Sequence, residues 1–168
     1  MPNATSRNLW QSSMKTDCLH EKELPLEQMM PLIREQLSRR CSVRLSPRGT
    51  SMLPMLRQGR DSVVLSPLPA RLQKYDLPLY QREDGSYVLH RVVGVGAAYT
   101  CMGDNQFTPE YPVKHEQMIA LVSAFYRKDR MIRCDAFGYR LYCRLWYASR
   151  GVRRFWRRGI GWLRRHLR

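Results

Sequence analysis

The feature that most constrains the fold is a series of short apolar segments between residues 42 and 126, separated by turns and prolines. The clearest turn is Arg82-Glu83-Asp84-Gly85-Ser86, because Asp-Gly between two apolar stretches is typical of a β-hairpin. The prolines between the other segments favour short strands and loops. We therefore predict a mainly β domain over residues 42–126. Its strands are predicted around Val43 and Leu45, Ser62 to Leu65, Leu77 to Gln81, Tyr87 to Val95, Tyr99 to Met102 and Met118 to Tyr126.

Helical patterns flank this domain on both sides. Residues 1–41 are predicted to form a polar, poorly ordered arm (1–16) and a short amphipathic helix within 26–40, where apolar residues recur at helical spacing. Because Pro31 is unfavourable inside a helix, the alternative is a helix that begins after that residue. Residues 127–168 are predicted to form a basic, aromatic helical tail, with two amphipathic helices separated near Gly151.

The net charge of +15 is concentrated in this tail. Residues 127–168 carry 14 Lys and Arg against 2 Asp and Glu, whereas residues 1–126 are nearly balanced. We expect a segment with this much positive charge to bind an anionic partner. Aromatic residues among the arginines favour an anionic membrane surface as the partner of residues 137–168. Nucleic acid is the less favoured alternative because no DNA-binding module precedes the tail, and a solvated or partner-docking helix is the third.

The cysteines and the hydropathy indicate where the protein resides. Five cysteines is an odd number and none forms a C-x-x-C pair, so a reducing compartment is favoured over a disulfide framework or a zinc site. No run of about 18 apolar residues predicts a transmembrane helix, and the polar N-terminus does not predict a secretory signal. We therefore expect a cytoplasmic protein, peripheral at the membrane.

Three short motifs place a hydroxyl, an imidazole and a carboxylate in chain order. They are Gly49-Thr50-Ser51-Met52-Leu53-Pro54, His90-Arg91-Val92-Val93-Gly94 and Gly103-Asp104-Asn105. A serine hydroxyl needs a base to become a nucleophile, an imidazole titrates near neutrality, and a carboxylate can fix its tautomer. Gly49 permits a tight turn before Ser51, whose backbone N–H is a candidate donor to an oxyanion. Each motif alone has a simpler interpretation as a loop, a packed histidine or a turn, and only the combination indicates catalysis.

Together these segments resemble the signal peptidase I group and its LexA-like relatives over roughly residues 43–126. Ser51-Met52-Leu53-Pro54 resembles the nucleophile segment, where Ser-Met-x-Pro is the signature. The segment from Leu89 to Gly94 resembles the one that bears the general base. Most bacterial members have lysine there, and histidine marks the endoplasmic-reticulum, archaeal and sporulating-bacterial branch. Gly103-Asp104-Asn105 resembles the acidic motif of that branch.

The resemblance implies a signal peptidase or LexA-like β core with an N-terminal helix and C-terminal basic amphipathic helices. It implies a serine endopeptidase that cleaves a peptide or protein precursor with small residues near the cut and needs no metal ion or organic cofactor. Ser51 would be the nucleophile, His90 the general base and Asp104 the acid that orients it. Glu110 occupies a secondary acidic position, six residues after Asp104.

Two departures from the family pattern support an alternative. Family members carry a transmembrane helix before the serine, and many place a serine two residues before the nucleophile, where this chain has Gly49. The alternative is a catalytically inactive signal peptidase-like module that binds or regulates at the membrane surface. A self-cleaving repressor relative is disfavoured because the residues before Cys41 lack two helices with a turn.

Overall fold

The computed structural model describes residues 25–156, which form a mainly β structure with a helix before it and helical residues after it. The predicted arm at 1–16 and the end of the tail lie outside the described residues. In chain order the elements are α1 (Leu26–Ser38), β1 (Val43–Leu45), β2 (Asp61–Ser66), β3 (Pro78–Gln81), β4 (Tyr87–Leu89), β5 (Arg91–Val95), β6 (Tyr99–Met102), β7 (Glu110–Val113), a 3-10 turn (His115–Gln117), β8 (Met118–Arg127), β9 (Arg130–Arg133) and α2 (Phe137–Ala148).

The strands form two antiparallel sheets. The larger has the order β1-β2-β8-β3-β4, with β9 also paired to β8, and the smaller has the order β5-β6-β7. The ten-residue strand β8 is central, because it pairs with β2 on one edge and with both β3 and β9 on the other. Its sequence is almost continuously apolar, as expected for a strand that is covered on both faces.

The predicted hairpin is present, with β3 and β4 paired across the turn at residues 82–86. The N–H of Arg82 donates to the carbonyl of Ser86 at 2.8 Å. Gly85 has a φ of 83°, in the left-handed region that glycine tolerates best. The Asp-Gly signal therefore identified the turn correctly.

The single strand predicted from Tyr87 to Val95 is divided in two. Leu89 pairs with Leu79 in the larger sheet, whereas Arg91 pairs with Met102 in the smaller sheet. The chain thus crosses from one sheet to the other at His90, which lies between β4 and β5. The apolar run does not reveal this crossing because residues on both sides of it are strand residues.

The helix α1 begins at Leu26 and contains Pro31, so it does not start after the proline. Met30, Ile33 and Leu37, at helical spacing, are buried in the main core against the larger sheet. The proline removes one backbone hydrogen bond from the helix. Burial of this apolar face offsets that loss, since each large side chain removed from water contributes about 1.5–3 kcal/mol.

The basic tail is part of the core along its first half. Strand β9 pairs with β8, and Tyr139 and Cys143 of α2 are buried in the main core. Helix α2 ends at Ala148, before the predicted break at Gly151, and residues 150–156 are again helical. Among residues 25–156, no helix has the length and apolar character needed to cross a bilayer.

Two neighbouring residues of α1 test its packing. We expect Ile33→Ala, which empties a site that is 1% exposed, to lower the free energy of unfolding by about 2–5 kcal/mol in urea denaturation. The matched control is Leu32→Ala, at a position that is 58% exposed, where we expect a change within about 0.5 kcal/mol. Equal effects of the two substitutions would contradict the docking of α1 on the core.

Candidate active site

The turn that carries Ser51 is bonded directly to the loop that carries Asp104. Gly49, which precedes the serine, has a φ of 85° and lets the chain turn there as predicted. The N–H of Asn105 donates to the Ser51 carbonyl at 2.8 Å. A β-carbon at Gly103 would lie only 2.6 Å from the same carbonyl oxygen. The close approach of the two motifs therefore requires glycine at position 103.

His90 lies beside this junction. Arg91 and Val92 pair with Met102 and Cys101, and continuing that antiparallel register by one residue places His90 opposite Gly103. The backbone of the histidine motif thus runs beside the Asp104 loop, which contacts the Ser51 turn. Among the hydrogen bonds of residues 25–156, none joins the Ser51 hydroxyl to the His90 ring. His90 is buried, with 1% of its surface exposed.

Two groups face Nδ1 of His90. The Glu110 Oε1 atom lies 3.2 Å away and the Tyr80 hydroxyl lies 3.3 Å away. The Tyr80 hydroxyl donates its own proton to Glu110 Oε2 at 2.7 Å, so toward His90 its oxygen acts as an acceptor. Both neighbours therefore favour a proton on Nδ1, which leaves Nε2 of the neutral ring unprotonated.

Glu110 is fixed by the hairpin. Arg82 donates from Nε to Oε2 at 3.0 Å and from its terminal nitrogen to Oε1. Burial raises the pKa of Glu110, but the hydrogen bonds from Arg82 and Tyr80 and the positive charge nearby outweigh it and leave that pKa below its ordinary value. Burial and the bond to Glu110 raise the pKa of Tyr80, so the phenol keeps its proton. Glu110 is therefore a carboxylate at neutral pH.

The imidazole itself is neutral at pH 7. Burial lowers the pKa of His90 below its ordinary value of 6.5, and the nearby Glu110 carboxylate, which raises it, does not fully offset that effect. A buried neutral imidazole with a free Nε2 is suited to accept a proton. Once protonated, the ring would face the Glu110 carboxylate, which stabilises the imidazolium.

Asp104 has a different set of partners from those the sequence predicts. Its carboxylate accepts two hydrogen bonds from Arg91, both at 2.8 Å, and a third from the Tyr147 hydroxyl at 3.3 Å. The side chains of Arg91 and Asp104 are both fully buried. The geometry thus pairs Asp104 with Arg91, and the secondary acid Glu110 with His90. The reason is that Arg91 needs a carboxylate in its buried site, because an unpaired internal charge is very costly.

Arg91 is held by several segments besides the Asp104 loop. Its Nη1 donates to the Tyr139 hydroxyl at 2.8 Å, to Cys143 Sγ at 3.1 Å and to the carbonyl of Tyr75 at 3.0 Å. Burial lowers the pKa of Arg91, but the adjacent Asp104 charge outweighs it and raises that pKa above the ordinary value. Helix α2 therefore covers the charged pair and stabilises the loop that contacts Ser51.

Sequence reasoning missed six side chains of this arrangement. Arg82 is the first residue of the predicted hairpin turn, and Tyr80 lies two residues before it. Arg91 directly follows the predicted base, so proximity in the chain was an available signal for these three residues. No local signal places Tyr139, Cys143 or Tyr147 there, because they come from the basic tail, more than 40 residues after Arg91.

A groove of about 700 Å³ runs past Ser51. Strands β1 and β4 are the end strands of the larger sheet, yet both line this groove, so the sheet curls around it. Val88 and Leu89, the residues just before His90, form part of its wall. The remaining lining comes mainly from the start of α1, the chain between β1 and Ser51, and the buried residues Met52, Leu56, Val63 and Leu79.

Comparisons of the chain with protein-family models, with curated proteins and with solved structures give no match. The interpretation of the site therefore rests on its own geometry and chemistry.

The contact between Glu110 and His90 can be measured by titration. In Glu110→Gln we expect the His90 pKa, already below 6.5, to fall further, because the charge that raises it is removed. The measurement is an NMR titration of the imidazole, and the exposed Glu116→Gln is the control, for which we expect no change. The opposite result is a His90 pKa that is unchanged in Glu110→Gln and falls strongly in Asp104→Asn. It would mean that Asp104, and not Glu110, orients the imidazole.

The buried pair of Arg91 and Asp104 predicts a large loss of stability when one partner is removed. We expect Asp104→Asn to lower the free energy of unfolding by roughly 3–5 kcal/mol, because Arg91 keeps its charge in a buried site. Adding Arg91→Met should recover part of the loss. Asp129→Asn, at an exposed turn, serves as the control, with a change of less than about 0.5 kcal/mol. A loss no greater than the control's would mean that the pair is not structural.

Proposed function

We propose that the protein is a serine endopeptidase of the signal peptidase type that cleaves a peptide or protein precursor. Ser51 is the nucleophile, His90 the general base, and Glu110 the acid that orients it. The observation that carries this proposal is the environment of His90 Nδ1, where Glu110 Oε1 at 3.2 Å and Tyr80 at 3.3 Å both favour the tautomer with a free Nε2. Histidines with a perturbed pKa and a specific charged partner are concentrated at functional sites.

The chemistry follows from the protonation states. The Ser51 oxygen attacks the scissile carbonyl while its proton moves to Nε2 of His90. The Glu110 carboxylate stabilises the imidazolium that forms. When the tetrahedral intermediate collapses, His90 gives the proton to the leaving amine and an acyl-enzyme remains on Ser51. In deacylation, a water molecule gives a proton to His90 and attacks the acyl carbon. When that intermediate collapses, the bond to Ser51 breaks, His90 returns the proton to the Ser51 oxygen, and the second product leaves as a carboxylic acid.

The oxyanion of that intermediate needs donors. The Ser51 backbone N–H is our candidate, since Gly49 offers no side-chain hydroxyl at the position where many family members have serine. A single strong donor is worth about 2.7–4 kcal/mol of transition-state stabilisation. We expect a lower rate than in a site with two donors.

An extended peptide is the substrate that suits the groove. Strand edges bind peptides through backbone hydrogen bonds, and pockets for alternate side chains select the sequence. The groove borders β1 and β4 and is lined by apolar residues such as Leu45, Met52 and Val88. By its resemblance to the signal peptidase group, the protein would cleave substrates that have small residues near the cleavage site. Asp104 and Arg91 act in this proposal as positioning residues, because they hold the loop that contacts the Ser51 turn.

Covalent labelling tests the nucleophile. A fluorophosphonate probe should modify the purified wild-type chain, and the label should map to Ser51 by peptide mass spectrometry. Ser51→Ala should lose the label entirely, because the attacking oxygen is gone. Ser46→Ala, an exposed serine lining the same groove, is the matched control and should label like the wild type.

The competing function is a catalytically inactive binding or regulatory module. It is favoured by one observation, the engagement of Asp104 by Arg91 in place of His90. Equal, slow labelling of the wild type and Ser51→Ala would support this alternative and contradict the peptidase.

A further inference from the structure

The helical residues of 137–156 have two dissimilar faces. The inner face packs on the body of the protein through Tyr139, Cys143 and the Trp146 indole, whose Nε1 donates to the Asp104 carbonyl at 3.1 Å. The opposite face, which we call the outer face, consists of large apolar side chains at helical spacing that are 43–82% exposed: Phe137, Leu141, Leu145, Val152, Phe155 and Trp156.

The outer face is continuous across the end of α2. Ser149 donates its N–H to the Leu145 carbonyl at 3.0 Å, and Arg153 donates to the Ser149 carbonyl at 3.0 Å. Helical hydrogen bonding thus continues past Ala148, and Val152 and Phe155 extend the row begun by Leu141 and Leu145. An exposed apolar stripe of this length marks an interaction site.

Positive charge borders the outer face. Arg140, Arg144 and Arg154 are exposed on the same helical segment, and residues 137–168 contain 10 arginines and no acidic residue. Arg153 is different, because its guanidinium lies 3.6 Å from the centre of the Trp146 ring and donates to the Trp146 carbonyl. The charge of Arg140 also acts on the carboxylates of Asp76 and Asp135. Arg144 and Arg154 are therefore the exposed arginines most available to an external anion beside the apolar surface.

We propose that the outer face docks on an anionic membrane surface, with its apolar side chains inserted at the headgroup level and the arginines on the lipid phosphates. A helix of this composition lies in the plane of the interface, where apolar burial and electrostatic attraction act together. Nucleic acid would use the arginines but leave the apolar stripe in water. A second copy of the chain would bring two strongly positive segments together.

The docking surface is fixed relative to the candidate active site. The same segment that presents the outer face holds Arg91 and the Asp104 loop from its inner face. Docking therefore sets the orientation of the Ser51 groove with respect to the bilayer. The docking itself does not depend on Ser51, so it stands or falls independently of the proposed peptidase activity.

Vesicle sedimentation of the full chain tests the proposal. Truncation is unsuitable because it would remove Tyr139 and Cys143 from the core. We expect binding to vesicles of mixed phosphatidylglycerol and phosphatidylcholine, and at least about tenfold weaker binding to phosphatidylcholine alone. The double variant Leu145→Gln/Phe155→Gln should lower the partition coefficient at least about tenfold, because two inserted side chains become polar.

The matched control replaces two exposed apolar residues outside the outer face by glutamine. Leu32 and Met131 are 58% and 53% exposed and lie outside the 137–156 segment. Leu32→Gln/Met131→Gln should bind the mixed vesicles like the wild type. Arg144→Gln/Arg154→Gln should weaken binding by about fivefold for each charge removed, as expected for arginines at an anionic surface.

Several results would overturn the proposal. One is equal binding by the outer-face variant and its control, and another is equal binding to neutral and anionic vesicles. Binding to duplex DNA or RNA without binding to anionic vesicles would assign the arginines to nucleic acid. A dimer in sedimentation equilibrium that Leu145→Gln/Phe155→Gln dissociates, with no vesicle binding, would identify a second copy as the occupant.

Discussion

The buried ion pair of Arg91 and Asp104 is the interaction on which the rest of the structure depends. It joins strand β5 to the loop after β6, and the same guanidinium reaches α2 and the sulfur of Met55 in the turn after Ser51. Removing two charges from water is costly, and the cost is offset only when geometry and additional hydrogen bonds are favourable. Here the donors of Arg91 all have acceptors, so the pair links the smaller sheet to helix α2 and to the turn after Ser51. The position of the Ser51 turn follows from that, because the Asp104 loop is bonded to it.

The two acidic residues near His90, Asp104 and Glu110, have different partners. Asp104 is fully buried with its charge matched by Arg91, whereas the Glu110 side chain is 27% exposed and lies 3.2 Å from His90 Nδ1. An acid that must stabilise an imidazolium has to face the ring and stay ionised, and the hydrogen bonds from Arg82 and Tyr80 keep Glu110 in that form by holding its pKa low. The two acids therefore differ in environment: Asp104 pairs with Arg91 inside the core, and Glu110 faces the imidazole.

Local signals in the sequence were sufficient for much of the fold. The hairpin followed from Asp84-Gly85, and the helix α1 from its apolar spacing, because both depend on nearby residues. Features that depend on contacts between distant parts of the chain could not be predicted from the sequence. The break at His90 depends on which sheet each neighbouring residue joins. Strand β9 was assigned to the basic helical tail, because two of its four residues are arginine. Arg91 was not predicted as a core residue, since arginine is almost never fully buried without a partner and that partner is 13 residues away. The serine and histidine motifs could be proposed as a candidate site from the sequence, whereas which acid faces His90 depends on tertiary contacts.

The pH dependence of the Ser51 acylation rate tests the central claim most directly. If His90 is the general base, the rate follows the fraction of neutral imidazole. It should rise with pH through a midpoint below 6.5, reach a plateau near neutrality, and collapse in His90→Ala. A rate that climbs steadily into the alkaline range and is unaffected by His90→Ala would contradict the account, because hydroxide and not His90 would then be activating the serine.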